Sequence, residues 1–164
     1  MQFIPESTID QTVEYLETLD NYDALMAELG QSQPAVLAYL LSDNFDLFTE
    51  AERDFSLFLS LTIWKSIQHH YPDFPVLTAA QIGKNEESNW EIFDQQRTKV
   101  FKEKLNVFFE NYEQEDLLAF VEDALEPDDE HLITNEGRDY LFISMKSIID
   151  ALNGVDISEK KMEG

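Results

Sequence analysis

The chain has no cysteine. That absence excludes a disulfide framework, a thiolate zinc site and a cysteine nucleophile. Glycine and histidine are also scarce, with five and three in 164 residues. No glycine-rich phosphate loop, G-x-S-x-G elbow or H-E-x-x-H pair is present. His69 and His70 are adjacent, so on a helix they point about 100° apart and chelate one ion poorly. Neither follows an acid by three residues, as the E-x-x-H pairs of di-iron bundles require. No metal and no cofactor is expected. Basic residues are the next shortage. Eleven Lys and Arg stand against 34 Asp and Glu, a formal net charge of −23, and none of the eleven precedes Arg53. Such a chain repels phosphate backbones and anionic membrane surfaces, so neither direct nucleic-acid binding nor membrane association is expected. Long apolar runs are missing too. The longest, Phe55 to Trp64, contains Ser56, Ser60 and Thr62, which reads as a buried helix and not a membrane span. Met1 to Glu6 has no basic n-region or apolar h-region, so no secretory signal is expected and the expected location is cytoplasmic.

What is present is ample apolar material. Hydrophobic residues make up 43% and aromatics 12%, led by twelve Phe, which argues against disorder despite the charge. At this length one domain can bury about 68–70% of its unfolded surface. The chain also echoes itself. Gln33-Pro34-Ala35-Val36-Leu37-Ala38-Tyr39-Leu40 returns as Gln114-Glu115-Asp116-Leu117-Leu118-Ala119-Phe120-Val121. Leu47-Phe48-Thr49 followed by Arg53-Asp54-Phe55 matches Leu132-Ile133-Thr134 followed by Arg138-Asp139-Tyr140. Leu57-Phe58-Leu59-Ser60 and Lys65-Ser66-Ile67 match Leu141-Phe142-Ile143-Ser144 and Lys146-Ser147-Ile148. The order is kept, which points to a duplicated supersecondary unit.

The periodicity is helical throughout, and no segment alternates as a strand does. Ser7 is placed to cap a first helix with Ile9, Val13 and Leu16 on one face and Asp10, Glu14 and Glu17 on another. A second helix is expected from Asp23 to Leu29, with Gly30 as its C′ residue. Pro34 opens a third, running to Leu41. Thr49-Glu50-Ala51-Glu52 is a capping box for a long helix that stops at His70, before Pro72. Thr78-Ala79-Ala80-Gln81 is another capping box, with Leu77 and Ile82 as its hydrophobic staple. The polar run Gly83 to Ser88 is expected to break that helix early. A helix from Trp90 to Tyr112, interrupted near Arg97, one from Gln114 to Leu125, and one from Asn135 to Leu152 complete the set. Pro127-Asp128-Asp129 reads as a loop. The expected fold class is all-α: a compact single-domain bundle of seven or eight helices, built from two related helical-hairpin halves in HEAT-like or orthogonal packing. The halves span 5–72 and 78–154, and 155–164 form a frayed tail.

The strongest candidate site is on the helix from Gln114. At 100° per residue, Glu115, Glu122 and Glu126 fall within about 40° of one another, and Asp116 and Asp123 lie about 60° or more to the side. Leu117, Leu118, Val121 and Leu125 occupy the opposite half. Five carboxylates therefore share one face, with no base in the stretch. They suit a basic peptide, a basic protein surface or divalent cations, although the loop after them lacks calcium-hand spacing. A merely solvated helix face is the plainer alternative. Arg53 and Arg138 occupy matching positions of the echo. They suit either paired anion recognition or, as preferred, ion pairs that lock each hairpin to its neighbour. Arg97, Lys99, Lys102 and Lys104 scatter around their helix and read as charge balance.

Glu126-Pro127-Asp128-Asp129-Glu130-His131 is similar to the E-P-x-D-H loop of the TorD-like chaperones, acidic all-helical proteins that mature molybdoenzymes. The match covers six residues, one more than that loop, and about 33 residues follow it. No family is assigned from it.

The residues thus point to a non-enzymatic adaptor, chaperone or regulator that holds a basic protein partner on an acidic helical surface. The first alternative is a nucleic-acid mimic that inhibits a DNA-binding protein, its carboxylates standing in for phosphates. The second is a carboxylate-based enzyme, which would require a concave pocket with converging carboxylates of raised pKa.

Overall fold

A computed structural model describes residues 1–126 and 133–157. Among them the chain is all-helical, with no strand. The helices are α1 (Glu6–Glu17), α2 (Asp23–Ser32), α3 (Pro34–Leu40), α4 (Glu50–His70), α5 (Ala79–Asp94), α6 (Phe101–Phe109), α7 (Glu115–Ala124) and α8 (Asn135–Asn153), with a 3₁₀ turn at Asp43–Phe45.

α4 and α8 are central because they are apolar on nearly every side. Leu59, Leu61, Ile63, Trp64 and Ile67 are buried on α4, and Leu141, Phe142, Ile143, Met145, Ile148, Ile149 and Leu152 on α8. The hydroxyls buried among them are satisfied locally, as a dry interior demands. Ser60 donates to the Ser56 carbonyl and Ser147 to the Ile143 carbonyl, both at 2.7 Å. α1 packs on α4, α5 packs on α8, and the two central helices touch. α1 also reaches α7, and α5 reaches α3.

Two glutamines tie these layers together. Gln33 and Gln114 each precede a helix and are both fully buried. Gln33 accepts from the Leu77 N–H at 2.8 Å and donates to the Pro75 carbonyl at 2.8 Å. Gln114 accepts from the Ile4 N–H at 3.0 Å and donates to the Gln2 carbonyl at 2.9 Å. Each therefore clamps the extended backbone that leads into α5 or α1, pairing groups that burial would otherwise strand.

Both capping boxes form. Thr49 Oγ1 accepts from the Glu52 N–H at 3.1 Å while Glu52 Oε1 accepts from the Thr49 N–H at 3.0 Å. Thr78 and Gln81 exchange the same two bonds. Glu52 does more than its box requires. It is 1% exposed, and its Oε2 accepts from the N–H and the hydroxyl of Thr134, both at 2.9 Å. Thr134 is the N-cap of α8. One carboxylate thus serves the N-termini of both central helices, where negative charge is favoured. Gly137 makes room for it: a Cβ there would overlap the carboxylate, 2.7 Å from Oε1 and closer still to Oε2 and Cδ.

Several local expectations are corrected. α1 is entered through Pro5 with no side-chain cap. In place of Ser7, Asp116 of α7 accepts from the Glu6 N–H at 3.0 Å. Gly30 lies inside α2 and not beyond it. A Cβ at that position would sit 2.9 Å from Leu37 Cδ2, so glycine there permits the close approach of α3. α5 runs unbroken through Gly83 to Ser88, because Ile82, Asn89 and Phe93 form one buried stripe against α8 and tertiary packing overrides propensity. It stops at Asp94, and the interruption expected near Arg97 is the segment 95–100, after which α6 ends at Phe109 and not at Tyr112. Pro127, Asp128, Asp129, Glu130 and His131, including most of the TorD-like segment, lie outside the described residues, as do 158–164 of the expected tail. Val155 and Ile157 pack against the core.

Candidate functional site

α1 and α7 lie side by side, starting together where Asp116 caps Glu6. Their shared edge opens into a cavity of about 450 Å³, bordered by Glu6, Asp10, Asp116 and Asp123 over a floor of Ile9, Ala119 and Phe120. A second cavity of about 630 Å³ adjoins it and shares Asp123 and Ala124. Its walls are Glu17, Tyr22 and Asp54, and its floor is Ala51, Phe55 and Phe58 of α4. The Phe58 ring sits 6.3 Å from Phe120 and 6.1 Å from Phe55, so the aromatic floor is continuous between the two. The result is one groove with an apolar bed and six carboxylates on its rim. Among the described residues, no Lys or Arg lines it. The field acts on Tyr22, whose hydroxyl is pushed above its usual pKa by burial and by the charge of Glu17.

The five candidate carboxylates of α7 separate into groups. Asp116 and Asp123 face α1 and line the groove. Glu122 and Glu126 face α6, where they line a smaller cavity of about 250 Å³ with Val100, Phe101, Lys102 and Arg138. There Lys102 Nζ meets Glu126 Oε1 at 2.5 Å, so a base from another helix answers carboxylates that look unneutralised along their own. Burial pushes Glu122 above the usual carboxylate range, with Lys102 opposing and Asp123 and Glu126 adding. Glu115 is exposed and lines neither cavity. Of the α1 stripe, Asp10 and Glu17 reach the groove and Glu14 does not line it. Glu6, Asp54 and the aromatic floor escape a helix-by-helix reading, since they join the rim only through the contacts of α1 and α4 with their neighbours.

The arginines have separate partners. Arg53 bonds the Asp46 carbonyl at 3.3 Å and lies 3.9 Å from its carboxylate. Arg138 lies 4.3 Å over the Phe101 ring and donates to Asn135 at 3.4 Å. His70 meets Thr8 Oγ1 at 3.0 Å. Among the described residues, no three His, Asp or Glu side chains are placed to hold a metal ion, and no helix is long and apolar enough to cross a membrane.

No family model, curated protein or solved structure matches this chain.

A buried polar cluster lies between α5, α8 and the segment before α7. Lys146 bonds Asp150 at 2.7 Å and Asn89 at 3.1 Å, and Tyr112 donates to Asp150 at 2.5 Å. Burial, and then the Asp150 charge, push the Tyr112 hydroxyl far above its ordinary value. Every polar group in this cluster is used in joining α5, α8 and the segment before α7, which is a structural role.

Proposed function

We propose that this protein is a non-enzymatic adaptor, chaperone or regulator, acting in the cytoplasm, that holds a basic protein partner in the acidic groove between α1, α4 and α7. The observation that carries this is the combination in one place of an apolar aromatic floor with a rim of carboxylates that, among the described residues, no Lys or Arg lines. Apolar contact supplies affinity, and the rim supplies steering and selection for positive charge. The floor also favours a protein partner over nucleic-acid mimicry. A surface that imitates phosphates would present carboxylates without Phe55, Phe58 and Phe120 between them.

The two halves are best understood as a duplication with hairpin-repeat packing. The matched positions Gln33 and Gln114 clamp corresponding entry segments, and the matched Thr49 and Thr134 cap the two central helices. These correspondences support the reading.

The test compares wild type with two variants in capture from source-cell extract with a salt-graded wash. One variant neutralises Glu115, Asp116, Glu122, Asp123 and Glu126 to Gln or Asn. The other neutralises Asp10, Glu17 and Asp54. The expected result is a basic protein held by wild type, released by salt and lost from both variants while their circular dichroism stays helical. Equal retention by all three proteins refutes the proposal.

A further inference from the structure

Resting on the duplication proposed for the two halves, we infer that they face each other across a twofold axis between α4 and α8, each lending its first helix to the other. The exchange is an interlock: the halves open as one unit. Reciprocal contacts carry this. Gln33, before α3 of the first half, holds the Pro75 carbonyl and the Leu77 N–H, which lead into α5 of the second. Gln114, the matched residue before α7 of the second half, holds the Gln2 carbonyl and the Ile4 N–H, which lead into α1 of the first. Helix packing repeats the exchange: α5 lies against α3, and α1 against α7. When two copies stack in series, one surface of the first meets a different surface of the second, so a contact in one direction has no return in the other. A twofold gives both.

The axis is marked by residues that meet their own matches. Glu52 and Gly137 each stand third after an N-cap, Thr49 and Thr134, and a Cβ on Gly137 would overlap the Glu52 carboxylate. Carried along these two unbroken helices, the register of the caps pairs Ser60 with Met145, 85 positions on and one beyond the echoed Ser144. Ser60 Oγ lies 3.4 Å from Met145 Sδ. The central helices therefore run side by side in one direction, their N-termini together at the axis. A carboxylate at both third positions would set two like charges against each other there. One is enough, because Glu52 reaches Thr49 on its own side and Thr134 on the other. With α1 held by α4 and α7, and α5 by α8 and α3, neither half keeps its first helix in place if the other unfolds.

The experiment moves the carboxylate across the axis. Thermal unfolding by circular dichroism compares the full chain with Glu52→Gly, with Gly137→Glu and with the two changes together. By the twofold, the moved carboxylate meets Thr134 as its own cap and Thr49 across the axis. Each single change should lower Tm by about 5 °C or more, and the pair, identical to wild type in composition, should return to within about 3 °C of it. A folded pair that stays lower overturns the axis. Hydrogen exchange on wild type in graded urea needs no variant, and it decides alone if the pair does not fold. The slowest amides of α1 and of α5 should open with one free energy and one urea dependence. Separate openings, α1 with α4 and α5 with α8, overturn the interlock. Either failure leaves the duplication in place, since the order of the echo does not depend on how the copies are arranged.

Discussion

Gly137→Ala should destabilise this protein, although helix propensity alone predicts the opposite. Gly137 lies in the first turn of α8, where alanine is favoured over glycine by up to about 1 kcal/mol. The added Cβ would overlap the Glu52 carboxylate. That carboxylate must then leave a site where it accepts from the Thr49 N–H, the Thr134 N–H and the Thr134 hydroxyl. Hydrogen bonds to a charged group contribute about 1.5–3 kcal/mol each, and water replaces only part of that in a buried site. Set against the propensity gain, the net loss is about 2–4 kcal/mol. For a chain of this length that lowers Tm by roughly 5–15 °C. The assay is thermal and urea unfolding by circular dichroism on wild type, Gly137→Ala, Glu52→Ala and the double variant. With Glu52 already truncated, the new methyl has space, so Gly137→Ala should be neutral or slightly stabilising in that background. The two changes should therefore be strongly non-additive. A Gly137→Ala protein as stable as wild type, or effects that add within about 0.5 kcal/mol, would refute the account of Glu52 as a carboxylate shared by two helix N-termini.

Two further outcomes are expected. Gln114→Ala and Gln33→Ala should each cost about 1–3 kcal/mol by leaving a buried backbone donor unpaired; hydrogen exchange should accelerate at Ile4 in the first and at Leu77 in the second, and unchanged protection at those amides would contradict the clamp. Burial pushes Asp139 above its usual value of 3.8, against the pull of Lys104 and Arg138. Its folded form thus holds a proton through a pH window where the unfolded chain has released it, so stability falls as pH rises through that window. Asp139→Asn should be more stable than wild type at pH 7 and no different at pH 3, and a gain of equal size at both would show that charge is not the cause.

Local chemistry was legible in the amino-acid order. The capping boxes at Thr49 and Thr78 and the stop before Pro72 could be read directly, because each is decided by groups within a few positions of one another. So could the burial of a helix apolar on nearly every side. The same order misleads at Gly30 and Gly83 to Ser88. Glycine there reads as a terminator until the neighbouring helices are known: α2 carries Gly30 against Leu37 of α3, and α5 runs through Gly83 packed on α8. The acidic face of α7 was visible, but its division was not. Asp116 and Asp123 belong to a groove with α1, while Glu122 and Glu126 answer Lys102 of α6. The sequence by itself determined an all-helical, strongly acidic chain and where most of its helices begin and end, since caps and periodicity act over one or two turns. Only the tertiary structure decided that Glu52 spans two helices and that Asp10, Glu17, Asp54 and Asp123 rim one aromatic bed. Those relations join residues tens to more than a hundred positions apart, and close packing of α1, α4, α7 and α8 alone brings them together.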